Sequence, residues 1–203
     1  MIITIHYITL SSMIVDVKHA DPGPALAARI RLERNSRNWS MEELSMRAGV
    51  SRAMISKIER EECSPTATVL GRLSGAFEIT MSALLAGAED ERKRLIRFEE
   101  QQVWTDPGTG YTRRAVSPPA GSPLQLVEVD LPPRTKVTFP VSAYTFLHHQ
   151  IWILAGHLRF TEGTKVHQLR KGDCLQFGNP QECTYENPSQ SRHCRYLVAL
   201  SQR

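Results

Sequence analysis

A chain of 203 residues with 25 Lys and Arg against 21 Asp and Glu carries a formal net charge of +4, and 41% of it is hydrophobic. This is the make-up of an ordinary soluble globular chain with room for one large or two small domains, and no internal repeat or low-complexity tract interrupts it. The slight positive excess favours polyanions without naming one. The four cysteines, Cys63, Cys174, Cys183 and Cys194, form no CxxC pair, which excludes a zinc ribbon and a thioredoxin-like motif. They are too sparse for a disulfide framework, so a reducing, cytoplasmic setting is expected.

The apolar opening "MIITIHYITLSSMIV" has no basic residues ahead of it and is too short to span a bilayer. Residues 1–23 are read as a tail, with Met13 a second candidate start, and no membrane association is expected. "DPGP", Asp21 to Pro24, then breaks the chain.

Residues 24–87 carry helical patterns. In "ALAARIRLERNSRN", Leu26, Ile30 and Leu32 supply a partial apolar stripe. Ser40 and Glu43 make an S-x-x-E capping box, so a helix starts at Met41 with Leu44 and Ala48 on its buried face. Gly49 suits the left-handed turn that ends it. Ser51 caps the next helix, whose Ile55 and Ile58 point inward and leave Arg52, Ala53, Ser56, Lys57 and Arg60 outside. Two short helices joined by a glycine turn make a helix-turn-helix, and the second can enter a DNA major groove. Arg52 and Lys57 are placed to reach guanine edges or phosphates, and Ala53 to touch a thymine methyl. Ser40 and the amides at Met41 can hold a phosphate. A plain helix pair with a solvated basic face is the competing reading.

The string "WSMEELSMRAGVSRAMISKIEREECSPTATVLGRLSGAFEITMSALL", Trp39 to Leu85, resembles the phage-repressor-like (XRE) DNA-binding domain. That resemblance implies a five-helix bundle, with helices four and five starting at Thr66 and Thr80. It also implies that the helix after Ser51 reads DNA, with Arg52, Ala53 and Lys57 at base-reading places. Met41 stands where the family often has Gln, which leaves that phosphate contact to a backbone amide.

The charged stretch 88–102, within "AEDERKRLIRFEEQQ", is expected to be a solvated linker helix. Residues 103–203 read as strands and turns, and helices followed by strands suggest two separate domains. "GYTRRAVSPP" is a lead-in strand. "LQLVEVDL" alternates Val127, Val129 and Leu131 with Glu128 and Asp130. Two strands are expected around Ala155-Gly156 and two more around Lys171-Gly172-Asp173, with a further hairpin in "CTYENPSQSRHCRYLVAL". This frame resembles the cupin family, which implies a double-stranded β-barrel. The fold class expected is therefore a multidomain α plus β chain.

Enzymatic cupins hold a metal through HxH, Glu and a later His. At the corresponding places this chain has "SAYTFL", His149 and Cys183, so at most two ligands survive and no metal or other cofactor is expected. His149 and Cys183 then either form a soft-metal or redox pair, or simply line a pocket. His148 should face away from His149. Tyr144, His149, Gln176 and Cys183 are the expected polar groups of an effector pocket.

The function these readings favour is a regulator, not an enzyme. It would bind double-stranded operator DNA, sense a small-molecule effector in its cupin, and act as a homodimer matched to paired half-sites. A metal-dependent oxygenase or epoxidase carrying a helix-turn-helix is the alternative; a protein-interaction module is a third.

Overall fold

Local signals account for the helices. The computed structural model describes residues 23–85, 94–118 and 123–202; the tail expected over residues 1–23 lies outside these except for its last residue. Helix α1 (Gly23–Ser36) buries Leu26, Ala27 and Ile30, while Leu32, expected on the same stripe, is exposed on the opposite side. Leu32 sits two positions from Ile30, about 200° around a helix, so the two cannot share a face. Helix α2 (Met41–Ala48) opens with the complete capping box: Glu43 N donates to Ser40 Oγ at 3.1 Å, and Ser40 N donates to the Glu43 carboxylate at 2.7 Å. It ends at Gly49, whose φ of 61° is left-handed. Helix α3 (Arg52–Glu59) is capped by Ser51, whose Oγ accepts from Met54 N, and it buries Ile55, Ile58 and Glu59. Thr66 caps α4 (Ala67–Phe77), and Thr80 caps α5 (Met81–Leu85) through Ala83 N at 2.9 Å.

The bundle is pinned by a buried charge. Glu59 is 2% exposed, and its carboxylate accepts from Arg34 Nε at 2.8 Å and Nη2 at 2.9 Å, a two-pronged pair between α3 and α1. Trp39 stacks on Phe77 at 5.8 Å, with Arg47 lying 4.4 Å over the indole.

The charged linker departs from expectation. Residues 88–93 lie outside the described residues; across 94–102 there is no α-helix, only a single 3-10 turn at Phe98–Glu100. Its large apolar side chains, Leu95 and Phe98, are exposed. A helix with no apolar face to bury lacks the packing that sustains most helices. Phe98 instead lies under the Arg114 guanidinium, 4.2 Å away.

Among the described residues ten strands follow: β1 (Val103–Thr105), β2 (Thr112–Ala115), β3 (Leu124–Leu131), β4 (Lys136–Phe139), β5 (Leu147–Ala155), β6 (His157–Glu162), β7 (Lys165–Arg170), β8 (Cys174–Gln176), β9 (Cys183–Glu186) and β10 (Cys194–Gln202). They form a six-stranded sheet ordered β1-β2-β3-β10-β5-β8 and a four-stranded sheet ordered β4-β9-β6-β7, with antiparallel pairing throughout. The inner faces meet through rings: Tyr185 of β9 stacks on Tyr196 of β10 at 5.8 Å, and Phe160 packs on Phe177 at 4.6 Å. The chain changes sheet at Gly156, where a Cβ would stand 2.5 Å from the His193 carbonyl oxygen.

Two expectations need correction. The barrel is not closed: among the described residues no ladder joins the two sheets. Pro132 and Pro133 stop β3 before it can extend, because proline cannot donate to a ladder. The last two strands are not a hairpin either, since β9 pairs with β4 and β6 while β10 pairs with β3 and β5. Asn187, fully buried, donates to the carbonyls of Leu131 and Arg192 and holds the crossover between them.

The two halves are not independent. A single apolar core runs from Leu26 in α1 to Leu200 in β10. Helix α4 is the hinge of this contact, lying against β4 and the Val141–Ala143 turn. Thr68 Oγ1 donates to the Thr138 carbonyl at 3.0 Å, and Asp106 accepts from Ala67 N at the start of α4.

Candidate DNA-facing helix and junction cavity

The expected DNA-facing residues gather on one surface. Ser40 and Ser51 stand at the starts of α2 and α3. Arg52, Ala53, Lys57 and Arg60 are exposed along α3, and Ser56 is half-buried between them. The capping box uses the Ser40 and Glu43 amides, so the Met41 and Glu42 amides are the ones left at the open end of α2. Hydrogen bonds from Ser40 hold the Glu43 carboxyl below its ordinary pKa, so it stays ionised beside that helix start. Arg52 is ion-paired to Glu42 across the turn at 2.8 Å, and Arg60 pairs with Glu62 at 3.0 Å. Both pairs are exposed, and such pairs contribute less than about 1 kcal/mol, so either arginine is easily released to another anion.

A small cavity of about 50 Å³ lies where α4 and α5 meet the sheets. Gly71, Ser74, Thr80 and Met81 form one wall; Tyr111, Arg113, Tyr144, His149, Tyr185 and Tyr196 are among those forming the other. Of the expected pocket residues, Tyr144 and His149 are here, their rings 4.9 Å apart. His148 is exposed on the far side of β5, as strand alternation requires. Cys183 lines a second, smaller cavity beside Tyr144 and Glu162. Burial pushes its thiol up to about 12, against the low value a redox-reactive thiol needs.

Gln176 is misplaced by the expectation. It sits opposite Gln150 on the outer face and hydrogen-bonds to it at 3.3 Å. Directly opposed residues share a face, and Gln150 alternates with buried Leu147-, His149- and Ile151-side positions, so Gln176 must face solvent. The inward group is its neighbour Phe177, stacked on His149 at 5.3 Å. Among the described residues no three His, Cys, Asp or Glu side chains gather as a metal site would need.

Arg113 escaped the sequence reading, although "TRRA" carries a signal for it. Two consecutive arginines on a strand face opposite ways, so one must point inward. Arg113 is 9% exposed and donates from Nη2 to Ser82 Oγ of α5 at 3.3 Å.

Residues 30–84 match the Helix-turn-helix family model. The match runs from within α1 into α5, so this part of the chain is a helix-turn-helix domain. The HTH-type transcriptional regulator SutR of Escherichia coli (strain K12) is 33% identical over 61 residues, covering 30% of this chain and 34% of that protein. The chain therefore spans about a third of that relative's length. The crystal structure of an HTH_3 family transcriptional regulator from Vibrio cholerae is similar over 88% of this chain and 96% of its own, with a TM-score of 0.72 and 22% identity. The arrangement of a helix-turn-helix domain on a two-sheet domain is thus a shared fold. The hydroxypropylphosphonic acid epoxidase from S. wedmorenis has a TM-score of 0.43 and 14% identity over 88% of this chain and 97% of its own. No helix among the described residues is long and apolar enough to cross a membrane.

Proposed function

We propose that the protein is a sequence-specific DNA-binding transcriptional regulator in which α3 reads operator DNA. The observation that carries this reading is the outer face of α3. It presents Arg52, Ala53 and Lys57 to solvent beside the open amide end of α2, within a stretch that matches the helix-turn-helix family. A helix so placed fits the major groove, with α2 braced on the phosphates. The cupin-like two-sheet half acts as the sensor of a small effector and not as a catalyst. Two copies joined through that half would read half-sites about one DNA turn apart.

The test is a binding titration of the purified protein on its own promoter region across salt concentrations, with metal analysis of the same sample. Selective binding with a steep salt slope is expected. Arg52→Ala should weaken specific binding by about 1–3 kcal/mol and leave random DNA less affected. Equal loss on both DNAs would make Arg52 a phosphate contact. No selective binding, together with stoichiometric iron, would overturn the regulator in favour of a metal-dependent enzyme.

A further inference from the structure

The junction cavity contains a charge that no described residue neutralises. Arg113 is 9% exposed, and its Nε is buried with no hydrogen-bond partner. Among the described residues, no carboxylate lies within ion-pair distance of it. The buried Asp106 carboxylate is committed elsewhere: it accepts from Ala67 N, Gly108 N and Thr109 Oγ1. An arginine cannot shed its proton to escape such a site, so an unpaired buried guanidinium is strongly unfavourable. The hydroxyl of Ser82 solvates it and does not balance its charge.

The surroundings are set for an anion. Burial pushes the phenols of Tyr111, Tyr144, Tyr185 and Tyr196 upward, so all four remain neutral. Phe139, Leu147 and Leu200 add an apolar strip to the lining, alongside the polar Ser74, Thr80 and His149. The cavity, at about 50 Å³, has room for only a few water-sized groups, which selects a small molecule over a nucleotide.

We infer that the junction cavity binds a small organic monocarboxylate, its carboxylate paired with Arg113 and its short stem against Phe139, Leu147 and Leu200. Occupancy bears on the DNA-binding half, because Ser74, Thr80 and Met81 share the wall and Arg113 also holds Ser82 of α5. This coupling rests on the regulator reading above; the binding site does not. By linkage, operator DNA and carboxylate change each other's affinity by the same factor.

Acetate, propionate and butyrate are titrated into the full-length protein, with propionamide as the neutral isostere of propionate. Binding is read by thermal unfolding and by tryptophan fluorescence, since Trp104 packs edge-on to Tyr111. At least one carboxylate should raise the melting temperature with dose, and propionamide should not. Arg113→Met should fold with an equal or higher melting temperature and bind the carboxylate at least roughly tenfold more weakly, the loss of one good interaction. No shift with any of the three acids, an equal shift with propionamide, or unchanged binding by Arg113→Met would each overturn the site. Operator affinity is then measured with and without the acid that binds. It should change in the native protein, and change less in Ser82→Ala, which keeps carboxylate binding. An unchanged operator affinity would overturn the coupling. Carboxylate binding with no selective DNA binding would sink the regulator and leave the site standing; selective DNA binding with no carboxylate bound would do the reverse.

Discussion

Replacing Gly75 by alanine should loosen the junction between the two halves without harming either. Gly71 and Gly75 are four apart on α4 and face the two-sheet domain, where their missing side chains allow close approach. At Gly71 an added Cβ meets the Phe139 ring, which can tilt; at Gly75 it meets the Ser142 carbonyl carbon and oxygen, both at 2.8 Å. Backbone cannot rotate out of the way. Restoring ordinary contact at 3.4 Å requires the Val141–Ala143 turn to withdraw by about 0.6 Å. Overpacking of this kind costs about 1–3 kcal/mol. Alanine in a helix interior returns up to about 1 kcal/mol of that. With the full return the net loss is at most about 2 kcal/mol, a factor of up to roughly 30 in local opening. Hydrogen exchange is the assay. Amides of the Val141–Ala143 turn and of β4 should exchange faster by that factor, while those of α2 and α3 keep their protection. If Gly75→Ala instead stabilises the whole protein and leaves exchange at the turn unchanged, α4 is not seated against Ser142 and the reasoning fails.

Glu59→Ala should cost about 3–5 kcal/mol in urea denaturation, because it strands the Arg34 guanidinium that the carboxylate now holds at 2.8 and 2.9 Å. A loss below about 1 kcal/mol would mean that solvent reaches Arg34 in the native bundle. Burial also pushes the thiols of Cys183 and Cys194 from an ordinary 9.0 up to about 12. Unfolded thiols ionise first, so the contribution of these groups to stability is full below pH 9 and lost between pH 9 and 12. Cys183→Ser with Cys194→Ser should flatten that part of the stability profile; an unaltered slope would assign it to the tyrosines. In the native protein at mild alkaline pH, iodoacetamide should modify exposed Cys174 well before either buried cysteine, as read by peptide mass.

The helix-turn-helix was legible because its determinants are local. Ser40 and Glu43 meet within one turn, Gly49 adopts its own left-handed φ, and Ser51 and Thr66 bond amides three residues on. Alternation likewise set which residues of β3 face inward, and separated His148 from His149. Short β8 offered too few residues for parity to fix its face, so Gln176 was placed inward; its pairing with Gln150 decides otherwise. The linker departs from expectation over residues 94–102 for a different reason. Its charge favoured a helix there, but Leu95 and Phe98 stay exposed instead of burying an apolar face.

By itself, then, the sequence determined the capped helices, the exposed face of α3 and most strand positions, since each depends on neighbours within a few residues. Strand partners, the open pair of sheets and the seating of α4 on Ser142 were decided by tertiary structure. So was the junction cavity. Its walls come from residues as far apart as Gly71 and Leu200, and among the described residues only their convergence buries the Arg113 guanidinium with no carboxylate beside it.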